Sequence, residues 1–100
     1  MIKLPAFFLA LLFLMATSLL LADEGYQEAR LLTESGHILP LQELLQVIQA
    51  EQSGRVLEVE FEHKGGLYLY EIEILDKQGA VWEFKVDAVS GEILKRELED

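Results

Sequence analysis

From Val56 onward, apolar and polar residues alternate with a period of two. Leu57, Val59 and Phe61 alternate with Glu58, Glu60 and Glu62; Tyr70, Ile72 and Ile74 with Glu71 and Glu73; and Trp82, Phe84 and Val86 with Glu83 and Lys85. This pattern predicts strands with one face buried and one facing water. A last, more polar strand is expected over Glu92 to Leu98, with Ile93 and Leu94 as its buried residues. The intervening segments are short: His63-Lys64-Gly65-Gly66, Asp76-Lys77-Gln78-Gly79, and Asp87-Ala88-Val89-Ser90-Gly91. Connections of that length join antiparallel neighbours, so a meander is expected.

Ahead of the strands the period is helical. Tyr26, Ala29 and Leu32, with Leu31 beside them, mark a helix over Asp23 to Ser35. Acidic residues sit near its start, where the helix dipole is positive, and Gly36 is placed to end it. Pro40 suits the first turn of a second helix, whose apolar face is Leu41, Leu44, Leu45 and Ile48. Ser53-Gly54 stops it. The fold class expected is α+β, with two N-terminal helices packed on one face of a three- to four-stranded antiparallel sheet.

Met1 to Ala22 stands apart from this domain, residues 23–100. It carries one charge, Lys3, and then a nearly unbroken apolar run ending at Asp23-Glu24. This is the form of a secretory signal peptide, and an uncleaved N-terminal anchor is the alternative, since about 20 apolar residues span a bilayer. Both readings place the acidic remainder outside the cytoplasm, periplasmic or secreted, with membrane attachment only if the leader stays.

The formal charge of −10 disfavours nucleic acid and anionic membranes as partners and favours cationic ones. With no cysteine, neither a disulfide nor a thiolate metal site can reinforce so small a domain. No catalytic arrangement emerges: His37 and His63 both fall in expected connectors, and Ser90 lacks a nucleophile elbow. Gly65-Gly66 is a hairpin tip without a following helix, so it is no phosphate loop. No cofactor is implied.

Glu58, Glu60 and Glu62 point the same way, and a hairpin register that follows the buried residues sets Glu71 and Glu73 beside them. Like charges across strands destabilise, so beyond a plainly solvated surface this face suits a cationic partner. Calcium is a further reading, although it needs six to eight converging oxygens. Leu69 falls on the same face as an exposed apolar contact, whereas Trp82 faces the core. A free sheet edge could also take an extended peptide, with Lys95-Arg96-Glu97 partly guarding it.

The run Tyr70-Glu71-Ile72-Glu73-Ile74, followed by Asp76 and Gly79 and then Val86-Asp87-Ala88-Val89-Ser90-Gly91-Glu92-Ile93-Leu94, resembles the PepSY domain. Ser90 stands where threonine is commoner in that signature. The resemblance covers residues 26 to 96 and implies a non-catalytic exported module. The implied role is inhibition or modulation of peptidase activity, as in the propeptides of thermolysin-like metallopeptidases; a sensor ectodomain is the alternative protein partner. Asp87, Ser90 and Gly91 are read as a structural turn. Asp87 and Ser90 accept backbone N–H bonds, and Gly91 takes a left-handed conformation.

Overall fold

The computed structural model describes residues 24–99, so the leader, with its cleavage or anchoring, lies outside the described residues. The element order is helix α1 (Glu24–Glu34), helix α2 (Leu41–Glu51), then strands β1 (Arg55–Lys64), β2 (Leu67–Leu75), β3 (Val81–Asp87) and β4 (Ile93–Glu99). The strands form one antiparallel sheet in the order β1-β2-β3-β4, which resolves the expected strand number as four. No described helix is long and apolar enough to cross a membrane.

Alternation along the strands builds the core. Tyr70, Ile72 and Ile74 of β2 pair with Val86, Phe84 and Trp82 of β3, which puts all six on one face. Their cluster takes in Ala29 of α1, Leu44 and Ile48 of α2, and Ile38 and Ala88 from the connecting segments. Ile72, Ile74, Phe84, Val86, Leu44 and Ile48 have lost essentially all contact with solvent. Each contributes about 1.5–3 kcal/mol of burial. Leu31 faces water, because only Ala29 and the half-buried Leu32 lie on the core side of α1.

A glutamine side chain and a pair of glycines set where the chain enters and leaves β1. The Gln49 amide grips Gly54 from both sides: Nε2 donates to the Gly54 carbonyl (3.0 Å) and Oε1 accepts from the Gly54 N–H (3.1 Å). A side chain at position 54 would collide with the Leu75 carbonyl and the Ile74 methyl, so only glycine lets β1 start against the end of β2. At the far end, β1 runs longer than the sequence pattern suggests. His63 and Lys64 are strand residues, paired with Tyr68 and Leu67, and the hairpin loop is Gly65-Gly66 alone. Both glycines have positive φ, as a two-residue turn between twisted strands requires.

Two bulges correct the expected burial. Val56 pairs with Ile74 and Glu58 with Glu73, which leaves Leu57 without a cross-strand partner. Val56 therefore takes the core-side place, and Leu57 is exposed. In β4, Val86 pairs with Ile93 and Lys85 with Lys95, so Leu94 is the extra residue and is about half exposed (47%). Neither insertion is visible in a period-two pattern, because both leucines are apolar and the bulge, not the sequence, turns each side chain off the face that the alternation assigns it.

Candidate functional site

The face opposite the core is acidic. Register sets Glu58 beside Glu73, Glu60 beside Glu71, and Glu62 beside Leu69 across β1 and β2. It continues with Glu73 beside Glu83, Glu71 beside Lys85, and Glu83 beside Glu97. All five carboxylates singled out in the sequence thus share one surface, and Glu83, Glu97 and Glu99 extend it. These last three follow from the same alternation once β3 and β4 are known to be neighbours, which composition alone does not reveal.

Glu58, Glu60, Glu71, Glu73, Glu83 and Glu99 line a hollow of about 190 Å³. Crowding has an electrostatic consequence at its centre. Partial burial, then the negative charges of Glu99 and Glu58, then a hydrogen bond with Glu99 and the charge of Glu83, raise the pKa of Glu73 above the ordinary glutamate value. Burial and the neighbouring carboxylates thus both disfavour the ionised form of Glu73.

One end of the face is partly neutralised. Lys85 Nζ lies 3.2 Å from Glu71 Oε1, with both side chains largely covered. Carboxylate oxygens of Glu60, Glu62 and Glu71 lie within 4.8 Å of one another, a spacing that fits ligands about 2.4 Å from a common cation. Glu62 Oε2 is buried without a hydrogen bond, and its nearest cation is Lys64 Nζ at 3.5 Å. Leu69 adjoins this end but is buried, contrary to the exposed contact expected of it. It lies on a central strand between Glu62 and Asp87, and neighbours on both sides shield it.

The signature turn is held as its residue types require. Asp87 Oδ1 accepts from the N–H groups of Val89 (2.8 Å) and Ser90 (3.1 Å), and Ser90 Oγ accepts from Glu92 N–H (3.2 Å). Gly91 has φ 80° and donates to the Asp87 carbonyl. The turn also fastens the helices' connector to the sheet: Leu39 N–H donates to the Ala88 carbonyl, and Ala88 N–H to Tyr68. The left-handed φ favours glycine here, and a Cβ at position 91 would also press on Leu39 Cδ1 at 3.3 Å, a contact that Leu39 must yield to by a few tenths of an ångström.

The histidines sit apart from the hollow. His63 Nδ1 is 3.2 Å from Glu28 Oε1 and its ring packs on Tyr68, while His37 Nδ1 hydrogen-bonds Ser35 Oγ in the turn after α1.

These elements define a class: a small α+β module whose antiparallel sheet presents one apolar face and one acidic face. The chain belongs to the PepSY family (peptidase propeptide and YPEB domain), whose match spans residues 38–97. The match begins after α1. The chain is also 36% identical over 59 residues to YkoJ, an uncharacterized protein of Bacillus subtilis (strain 168). That alignment covers 59% of this chain and 35% of YkoJ, so the chain spans about a third of the length of the curated relative it matches. No solved structure matches it.

Proposed function

We propose that this chain is an exported, non-enzymatic PepSY module that inhibits or modulates an extracytoplasmic peptidase, and that it docks through the acidic sheet face. Family membership ties the domain to peptidase propeptides by description. The observation that carries the docking surface is the glutamate-lined hollow with the raised pKa of Glu73 at its centre. A basic surface entering that hollow gains more than it would at a solvated, evenly spaced carboxylate, because it relieves repulsion already present in the free domain. Charge of this kind acts mainly on association rate and weakens with salt.

The test is residual activity of a thermolysin-like metallopeptidase titrated with the chain as recovered from expressing cells. Inhibition that falls with ionic strength, and is lost when Glu58, Glu73 and Glu83 are changed to Gln, supports the reading. A panel of metallopeptidases left unaffected, together with capture of a sensor ectodomain by the same face, would replace it with the accessory or sensory role.

A second reading, a divalent-cation-responsive envelope protein, is favoured by the convergence of Glu60, Glu62 and Glu71. Lys85 already occupies the Glu71 carboxylate and competes with a cation there. Calorimetry with calcium alone separates the two: a stoichiometric heat favours the cation, and none removes it.

A further inference from the structure

An open sheet has two edges, and this one treats them differently. The β1 edge is covered by α1. The Tyr26 hydroxyl donates to the Val59 carbonyl at 3.1 Å, and Glu28 pairs with His63 farther along the same strand. Capping of this kind is how proteins keep an edge from recruiting another strand. The β4 edge has no such cover. Among the described residues no helix or side-chain hydrogen bond reaches the β4 backbone. Arg96 of β4 is turned inward, over the Trp82 ring at 4.6 Å and onto Gln52 Oε1 at 3.0 Å.

The sequence of that open edge is self-complementary. We propose that β4 pairs antiparallel with β4 of a second copy of this chain, centred on Arg96, to join two four-stranded sheets into one of eight strands.

In that register Lys95 faces the second copy's Glu97 and Glu97 faces its Lys95, both on the acidic face. Each already forms an ion pair within its own strand, Lys95 Nζ to Glu97 Oε2 at 2.7 Å, so the pairing closes a ring of four alternating charges. Leu94 and Leu98, each about half exposed at 47% and 48%, face one another on the other side. The two arginines at the axis do not meet head on, because each is held over its own Trp82. Moving the centre to Lys95 or Glu97 sets like charges on the axis of the acidic face and places Arg96 against a leucine. The outward-facing charges and leucines therefore select one register.

A seven-residue strand pair is a small interface, so association is concentration-dependent, and salt near physiological strength is needed to screen the repulsion between two acidic chains. The pairing requires no peptidase, although Lys95 and Glu97 border the acidic face, and sedimentation of the chain alone reads it apart from the inhibition assay.

Sedimentation equilibrium across a concentration series tests it. The weight-average mass is expected to rise towards twice that of the chain, to stay at one chain for Lys95→Glu or Glu97→Lys alone, and to rise again for the two combined. Failure of the combined swap to restore the dimer overturns the proposal, as does a single-chain mass for the unaltered protein at every concentration. Cysteine is absent from the chain, which permits a second readout. Oxidation should cross-link Arg96→Cys to itself and leave Glu99→Cys monomeric, since only the residue at the axis is opposed to its own copy in this register. Equal cross-linking of both variants contradicts the register.

Discussion

Trp82 donates its indole N–H to Asp76 Oδ2 across 2.9 Å. The other oxygen of that carboxylate accepts from the N–H groups of Gln78 and Ala80, each at 2.9 Å. One side chain thus closes the β2–β3 turn and anchors the ring at the end of the core. The tryptophan is half-buried because its polar edge must reach this partner.

Acid sensitivity follows from that link. The bond from Trp82, then that from Ala80, lower the pKa of Asp76 below its ordinary value. A group depressed in the folded state stabilises above its unfolded pKa, and the stabilisation is lost as pH falls through the folded value. Asp76→Ala should therefore lower Tm by several degrees at neutral pH, with the difference from the unaltered chain shrinking in strong acid. Thermal melts followed by Trp82 fluorescence check this. A difference that stays constant down to strong acid would show that the carboxylate's charge is not what matters.

Glu73 should respond with the opposite sign. Its raised folded pKa means that the ionised form costs stability, a cost that grows as pH rises through the folded value and disappears on acidification. Glu73→Gln is expected to raise Tm at neutral pH and to have no effect in acid. An unchanged neutral melting temperature would mean that the hollow carries no repulsive strain.

Gly91→Ala combines a left-handed backbone with contact against Leu39 Cδ1. A loss of about 1–2 kcal/mol is expected from the backbone alone. The loss should exceed that of Gly36→Ala, whose φ of 77° is similar but whose surroundings are open. Urea unfolding of the two variants measures the difference, and equal losses would remove the steric part of the account.

The alternation of Tyr70, Ile72, Ile74, Trp82, Phe84 and Val86 made the sheet legible from the chain, because a period of two with one buried face admits few other structures. The Asp87 turn was legible for a related reason: an aspartate, a hydroxyl and a glycine at those spacings have local hydrogen bonds to make, and they make them. What period and turn chemistry miss is the extra residue. Leu57 and Leu94 are apolar and in phase with their neighbours as written, yet both are displaced outward by bulges. Leu69 errs the other way, since neighbouring strands, not its own sequence, bury it.

The carboxylate face was half legible. Glu58, Glu60, Glu62, Glu71 and Glu73 are marked by alternation, whereas Glu83 and Glu99 join the hollow only through the pairing of β2, β3 and β4. The grip of Gln49 on Gly54 left no sequence signal, because an amide on a helix's polar side is ordinarily solvated.

We propose above all that this acidic face docks a cationic surface of a peptidase. The most direct test is the inhibition constant of the chain against a thermolysin-like metallopeptidase, measured at low and high salt, beside the Glu58→Gln, Glu73→Gln, Glu83→Gln variant. Inhibition should weaken about tenfold or more with salt and be lost in the variant while its melting temperature is maintained or raised. Inhibition by the variant equal to that of the unaltered chain, insensitive to salt, would contradict it.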